Sequence, residues 1–426
     1  MPSKTGPLSR LLLCSLLCSA ASLAYSEVEF ANETAIEDKQ TTSDTVETPE
    51  NKQEPLPTGA ELPLPAEAKA QLDELENRLA TLHEESGNFS IASGEVLLEM
   101  AKVYQGARQY EEAGKLLRQA MQVQRINHGL YSEQQMPAAK LLVENLVAAG
   151  QWSDAREKQE FRHWLANRYL TEKPDEHLKM LLSLAQWQLH AYVFTGRIDD
   201  SHVAAAQTLY QQYFKIYKEQ SAHPHDQEDL AKVLQGFIAS NYFLLKNREK
   251  EGSSGFSVVA GPNDPQLQQQ QELEALRSSV FVSGKKVLKS MLTEASNDKE
   301  KIKQLTLSGD WFLLFGKFNT ARKLYLEART LANAEGMPPL FQSPVVIPEL
   351  PEWEETFTPG HERAHIIATF DIGRDGSARN IRLEESHTKL RGKVKRQLRK
   401  THFRPALNED GRFVISRDVQ QSFSFP

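Results

Sequence analysis

The chain has 426 residues, enough for two or three compact domains of roughly 100 to 200 residues each. Charged residues make up 25% and hydrophobic residues 40%, which is typical of a water-soluble globular protein and excludes a polytopic membrane protein. The formal net charge of −7 argues against a nucleic-acid binder. The only two cysteines, Cys14 and Cys18, lie in an N-terminal apolar run, so a chain without that run has no thiol for a disulfide or a metal.

Residues 1–26 have the pattern of a secretory signal peptide. Lys4 and Arg10 form a basic start, and Leu11 to Leu23 is apolar. Either Ser22-Leu23-Ala24 or Ala24-Tyr25-Ser26 offers small residues around a cleavage point. As a helix the apolar run spans only about 21 Å, short of the hydrocarbon core of a bilayer, about 30 Å thick. We therefore expect export to the periplasm, with a permanent inner-membrane anchor as the alternative.

The next two segments differ in composition. Residues 27–63 are rich in Glu, Thr, Pro and Asn and have few large apolar side chains, which predicts a disordered acidic tether. From residue 64 to residue 336, apolar side chains recur at helical spacing, beginning with Leu72, Leu75, Leu79 and Leu82. This pattern predicts a helical region of about 270 residues, too long for one or two helices.

An internal repeat is visible in this helical region. The pattern is a bulky residue, a Gly or polar residue four positions later, an aromatic residue, and then small residues that allow two helices to pack closely. We expect the following residues to pack the repeats: Tyr104, Tyr110, Ala113, Leu117 and Ala120 in one copy, and Phe312, Gly316, Phe318, Ala321, Tyr325 and Ala328 in the other. Weaker copies start at Leu146 and Tyr192.

These copies resemble the tetratricopeptide repeat. Gly150 lies 42 residues after Arg108 and Gly196 lies 46 residues after Gly150, both longer than the usual ~34. The resemblance therefore implies an irregular array of helix pairs that binds protein partners. The aromatic residues and alanines themselves indicate core packing rather than a ligand site.

After Gly336 the pattern changes. Several prolines between residues 337 and 355 predict a Pro-rich linker, and residues 356–426 then alternate with the period of β-strands. Ile366 to Ile372 and Arg379 to Leu383 flank a Gly-Arg-Asp-Gly turn and predict a hairpin. Leu390, Val394 and Leu398 follow at helical spacing, and a last strand is predicted at the C-terminus.

This β-β-α-β order resembles the C-terminal domain of the TonB energy transducers. The likeness covers about Thr356 to Phe425 and depends on Phe370-Asp371-Ile372, Asp375-Gly376, Ser386 and Phe403-Arg404-Pro405-Ala406. It implies a small periplasmic domain whose sheet edge binds an outer-membrane receptor segment by strand addition, a mode that uses main-chain hydrogen bonds. We take residues 418–425 as the candidate edge strand, with Val419, Gln421, Phe423 and Phe425 as its partner-binding residues. The alternative is an ordinary paired strand.

The chain departs from the transducer pattern at three places. Transducers keep an N-terminal membrane helix, whereas residues 1–26 look cleavable. They have a long Pro-rich rod where this chain has a repeat array, and residues 353–360 do not match the segment that usually precedes the first strand. We therefore expect an adaptor, with a membrane-anchored energy transducer as the alternative.

Two motifs suggest metal chemistry. His361-Glu362-Arg363-Ala364-His365 fits the H-E-x-x-H pattern of zinc hydrolases, which requires a helix, but Pro359-Gly360 and a predicted strand flank it. In a strand, residues four apart would lie about 13 Å from each other. His223-Pro224-His225-Asp226 is more typical of a solvated turn. With no phosphate loop and no nucleophile elbow, we expect no enzyme, cofactor or metal, and a zinc hydrolase remains the alternative of another class.

Positive charge is concentrated near the C-terminus. Residues 356–426 contain 14 Lys and Arg against eight Asp and Glu, and many of the cations lie between Lys389 and Lys400. No aromatic residue lies among them for base stacking, which argues against nucleic acid. A solvated helix face is the default interpretation. The alternatives are that this helix binds anionic cell-envelope polymers, an acidic partner or the chain's own acidic tether.

The sequence thus predicts a non-enzymatic periplasmic adaptor with two folded parts, an irregular tetratricopeptide-like α-array and a small TonB-like β-β-α-β domain. The resemblance to the transducers implies a role linked to TonB-dependent outer-membrane transport.

Overall fold

The computed structural model describes residues 64–197, 199–219, 227–251, 265–351, 364–384 and 388–425. The predicted signal peptide and acidic tether lie outside these residues. Eleven helices occupy the first four segments: α1 (Ala66–Ser86), α2 (Ile91–Gly106), α3 (Tyr110–His128), α4 (Met136–Ala148), α5 (Trp152–Tyr169), α6 (Pro174–Phe194), α7 (Asp200–Glu219), α8 (Gln227–Glu251), α9 (Pro265–Glu294), α10 (Asp298–Leu314) and α11 (Phe318–Ala334). No helix of the described segments has both the length and the hydropathy needed to cross a bilayer.

From α2 onward the helices pack as five consecutive pairs, α2 with α3 through α10 with α11, and neighbouring pairs also contact each other. One core runs from α2 to α6, and a larger core runs from α6 to α11. Small residues allow the close approach of the helices, since Ala113, Ala321 and Ala328 are completely buried. The described helices therefore form the stacked array expected from the repeats.

The four repeat copies share one turn geometry. The residue four positions after the bulky repeat residue has a positive φ: 61° at Arg108, 77° at Gly150, 86° at Gly196 and 72° at Gly316. The next residue donates its N–H to the bulky residue's carbonyl, at 2.8–2.9 Å in all four turns, from Gln109 to Tyr104, Gln151 to Leu146, Arg197 to Tyr192 and Lys317 to Phe312. This is the Schellman cap, which satisfies the last carbonyls of each first helix and directs the chain into the second helix.

Strands follow the array. They are β1 (Val345–Ile347), β2 (Ala364–Ile372), β3 (Ala378–Leu383), β4 (His402–Arg404) and β5 (Ser416–Phe425), with α12 (Thr388–Lys400) between β3 and β4. β2, β3 and β5 form an antiparallel sheet in the order β3-β2-β5, and β1 pairs with β4. The apolar face of the sheet packs against Val394 and Leu398 of α12, which are completely buried.

The segment predicted as a Pro-rich linker differs from a free spacer. β1 lies in this segment and pairs with β4 from the C-terminal domain. Phe341 and Ile347 are buried in the same core as α6 to α11. Because its apolar side chains are buried and its strand is paired, the described part of the segment, residues 337–351, packs as part of the fold.

Candidate functional site

Strand β5 lies at the end of the sheet order and pairs only with β2 among the described residues. The pairing of β2 with β3 shows which main-chain groups of β2 face β5. Glu384, just after β3, donates its N–H to the carbonyl of Ile367 at 3.1 Å, so the main-chain groups of Ile367 face β3. Main-chain groups of successive strand residues point to alternate sides, so those of Ile366, Ala368 and Phe370 face β5. Their partners Phe423, Gln421 and Val419 in turn face β2.

The outward main-chain groups therefore belong to Gln420, Ser422 and Ser424. This shifts the predicted site by one residue, because Val419, Gln421, Phe423 and Phe425 have their N–H and C=O groups in the ladder with β2. The side chain of Phe423 is 6% exposed and packs in the sheet core, as does the half-buried Val419, whereas Gln420 and Ser422 are exposed. Main-chain groups alternate along a strand with a period of two, and the sequence alone does not show which alternate set faces the neighbouring strand.

Asp371 fixes where the free edge begins. Between Phe370 and Ile372, β5 contains one more residue than β2, and this bulge places Asp418 at φ 53°. The Asp371 carboxylate accepts a hydrogen bond from Asn380 Nδ2 at 2.7 Å and another from the Asp418 N–H at 3.1 Å. These two bonds lower the pKa of Asp371. The regular edge therefore starts at Val419.

A buried ion pair joins the sheet domain to the array. Arg404 of β4 donates from Nε to Asp310 Oδ1 at 2.7 Å and from Nη2 to Asp310 Oδ2 at 2.6 Å. Tyr325 donates its hydroxyl to Asp310 Oδ1 at 2.7 Å, and the Arg404 guanidinium lies 5.6 Å from the Phe341 ring centroid. Burial opposes the charge on Arg404, but Asp310 raises the pKa of Arg404 above its usual range.

Sequence reasoning missed this pair. In the sequence, Arg404 belongs to the Phe-Arg-Pro-Ala motif, and Asp310 belongs to no motif. A signal for Asp310 does exist, because it is the one acidic residue in the otherwise apolar end of α10, followed by Trp311-Phe312-Leu313-Leu314. A carboxylate on a helix face that must be buried requires a partner.

Further contacts fix the junction. Arg329 of α11 donates to the carbonyls of Asn408 and Glu409 at 2.8 and 3.0 Å. Lys400, at the end of α12, donates to the carbonyl of Arg197 at 3.0 Å, and Arg197 donates back to the Lys400 carbonyl at 3.4 Å. Hydrogen bonds at Arg329 and at Lys400 therefore add to the Arg404–Asp310 pair in joining the array to the sheet domain.

Residues 349–351 lie along the first helices of three successive pairs. Gln235 of α8 donates to the Glu349 carbonyl at 3.1 Å, and His190 of α6 bonds the Pro351 carbonyl at 3.3 Å. The Glu349 carboxylate lies 3.5 Å from the Arg404 guanidinium, beside Asp310 of α10. This part of the array surface is thus covered by the chain itself.

The repeat-packing residues lie where helix pairs meet. Tyr110, Ala113, Leu117 and Ala120 are buried in α3, and Ala321, Tyr325 and Ala328 are buried in α11. Tyr104 and Phe312 are half-buried, and Gly316 forms its turn at the surface. Phe318 departs from its counterpart Tyr110, because it is 41% exposed. α11 ends the array, so the sheet domain lies beside Phe318 instead of another helix pair.

The basic helix α12 presents its cations outward. Arg391, Lys393, Arg396 and Arg399 are exposed, while the apolar side of the helix is buried on the sheet. This arrangement agrees with a solvated face and leaves the other interpretations as hypotheses.

The two histidine motifs lie wholly or largely outside the described residues. His223 to Asp226 and His361 to Arg363 lie outside the described residues, and His365 belongs to strand β2, opposite Ser424. Within the described segments, no three His, Cys, Asp or Glu side chains are grouped as a metal site would require.

No family model matches the chain, and no curated protein matches it. Two crystal structures of a kinesin light chain from Podosopora anserina with nearly identical TPR-like repeats are similar, each at 17% identity. One covers 57% of this chain and 95% of its own, with a TM-score of 0.35, and the other covers 58% and 98%, with a TM-score of 0.37. At such TM-scores, the description of the array depends on its own helix pairs and turns.

Proposed function

We propose that this protein is an exported, non-enzymatic adaptor that binds protein partners through its helical array and through the edge of strand β5. The partner at β5 would be an extended segment of a cell-envelope protein. The resemblance to the TonB domain suggests an outer-membrane receptor and a role linked to TonB-dependent transport in the periplasm. The observation that carries the proposal is the outward-facing edge of β5 from residue 419 to residue 425.

The surroundings of the edge support strand addition. Each added residue pair would satisfy main-chain groups that otherwise depend on water. The bulge at Asp418 ends the regular edge on one side, so a partner strand of about six or seven residues would fit. The buried Arg404–Asp310 pair holds the sheet on the array, which reduces the ordering cost of binding.

The same junction favours an adaptor over a force-transmitting domain. A transducer-like rod would place a long spacer before the sheet domain, whereas here β1 pairs with β4 and Phe341 and Ile347 are buried in the core of the array. Two parts that share a core move as one body. The arrangement is suited to holding two partners at a fixed separation.

The proposal is tested by removing one main-chain N–H group of β5 that faces away from β2. Ser422→Pro removes the N–H of Ser422, which faces away from β2, and proline is tolerated at such edge positions. With a peptide array of receptor segments as the probe, we expect Ser422→Pro in the full chain to weaken binding about tenfold. Ser422→Ala keeps the N–H and is the matched control.

The two variants separate main-chain pairing from side-chain contacts. Equal binding by Ser422→Pro and the parent chain would remove β5 as the docking edge. Loss of binding in Ser422→Ala as well would assign the effect to the serine hydroxyl and would also contradict strand addition. Circular dichroism of both variants checks that the sheet remains folded.

A further inference from the structure

An open pocket of about 330 Å³ lies where the array meets the sheet domain. The first turn of α11 forms one wall, the β2–β3 turn forms the second, and the loop before β5 forms the third. The residues that matter here are Phe318, Arg322, Arg374, Asp375, Arg412 and Phe413. Because both parts of the molecule contribute, the pocket exists only when the junction is formed.

The pocket contains more positive charge than its surroundings neutralise. None of the guanidinium groups of Arg322, Arg374 and Arg412 takes part in a hydrogen bond or ion pair with the described residues. Nε of Arg322 is buried from solvent and has no hydrogen-bond partner. Arg322 nevertheless lines the pocket, so its charge has no internal partner and remains available to an anionic ligand there.

The acidic residue of the pocket is already engaged. Asp375 accepts from Arg379 Nη2 at 2.8 Å and from the Ser377 hydroxyl at 2.8 Å. α11 begins at Phe318 without a side-chain cap, and its first N–H groups add partial positive charge at the same wall. The three arginines therefore remain available for a ligand carboxylate, which the planar guanidinium can bind with two hydrogen bonds.

Two aromatic rings complete the pocket. Phe318 is 41% exposed, and Phe413 is half-buried with its ring edge-on to Tyr325 at 6.1 Å between centroids. A ligand with an anionic group next to an apolar group would match both features. Arg374 and Arg412 are exposed, so the pocket is open on one side. It would leave a small molecule largely in water, whereas a peptide could extend across the opening.

We propose that this pocket binds an acidic peptide segment of a protein partner, with a carboxylate among the three arginines and a neighbouring aromatic side chain on Phe318 and Phe413. This is a second docking site, separate from the outward main-chain groups of Gln420, Ser422 and Ser424. The proposal does not depend on strand addition at β5.

The test measures fluorescence anisotropy of a labelled hexapeptide containing Asp-Phe-Glu, with the full chain. A peptide containing Asn-Phe-Gln is the neutral counterpart. We expect Arg322→Gln and Arg412→Gln each to weaken binding of the acidic peptide about tenfold. Lys323→Gln removes an exposed cation from the same helix outside the pocket and should leave binding unchanged.

Four results would overturn the proposal: equal binding of the two peptides, no binding of either peptide, an equal loss in Lys323→Gln, or full displacement by inorganic phosphate at the peptide's own concentration. The last result would indicate a site for small anions. Ser422→Pro should not change this binding, so a failure of strand addition and a failure of this pocket are distinguishable.

The chain's own acidic segment is the competing occupant. Residues 27–63 contain ten Asp and Glu against two Lys. If replacing these acidic residues with Asn and Gln in the full chain tightens peptide binding, the segment itself occupies the pocket, and the partner assignment is wrong. Unchanged binding supports the partner.

Discussion

Arg404 shows how much one side chain contributes to the junction. Only 6% of Arg404 is exposed, and Asp310, its partner, is 2% exposed. A buried ion pair gains little over an apolar pair of similar size, but removing one member leaves the other charge uncompensated. We therefore expect the pair to contribute less to total stability than to specifying which surfaces of the array and the sheet domain meet.

We expect Arg404→Met to lower the free energy of unfolding by about 3 to 5 kcal/mol, because Asp310 stays buried without its partner. The double variant Arg404→Met with Asp310→Leu should recover most of this loss, although Tyr325 then lacks its acceptor. Urea unfolding followed by circular dichroism measures the differences.

Arg396→Met provides the control, since Arg396 is an exposed cation on α12. Its effect should stay within about 0.5 kcal/mol. An effect of Arg404→Met as small as that of Arg396→Met would show that the ion pair does not hold the junction.

At the scale of elements, the second half of the array depends on glycines that face aromatic rings. Gly236 of α8 meets Tyr210 of α7, Gly284 of α9 meets Trp311 of α10, and Gly309 of α10 meets Tyr325 of α11. A Cβ at Gly309 would overlap the Tyr325 ring. The missing side chain thus sets the distance between neighbouring helices.

Gly309→Ala should lower the free energy of unfolding by about 1 to 3 kcal/mol, because the fully buried Tyr325 ring must move. Gly392→Ala is the matched control in α12, where an added Cβ meets nothing within 4 Å. That change should be neutral or stabilising by up to about 1 kcal/mol, since alanine favours helix. Thermal unfolding of both variants measures the two changes in stability. A stabilising effect of Gly309→Ala would contradict the close packing of Gly309 against Tyr325.

The elements also show what the sequence could and could not predict. Helical spacing, the Gly or polar residue of each turn and the Asp375-Gly376 hairpin are local signals, so the helix pairs and the order of strands were predictable. The pairing of β1 with β4 joins residues 55 apart, Ile347 with His402, and no local pattern encodes it. The edge strand was predictable as an element, whereas the direction of its main-chain groups required the register with β2.

For the whole molecule, two histidines link the junction to pH. His190 bonds the Pro351 carbonyl, and His402 of β4 lies beside β1. Burial lowers the pKa of both side chains, and Lys246 lowers that of His402 further, although Asp375 acts in the opposite direction. Both histidines are therefore neutral in the folded protein at pH 7.

A lowered pKa in the folded state means that the unfolded chain binds protons first as the pH falls. Stability from these groups is complete above the unfolded value, about 6.5, and is lost progressively below it. We expect the melting temperature to fall between pH 7.5 and pH 5.5. The fall in melting temperature should be smaller in His190→Gln, because a glutamine side chain does not take up a proton in this pH range.

His128→Gln is the control for this prediction, because His128 is exposed at the end of α3. It should retain the full dependence of the parent chain on pH. If His190→Gln and His128→Gln both follow the parent chain, the dependence comes from groups away from the junction. A weaker dependence in His190→Gln alone would assign that part of the pH dependence to the buried His190, where the array contacts the Pro351 carbonyl.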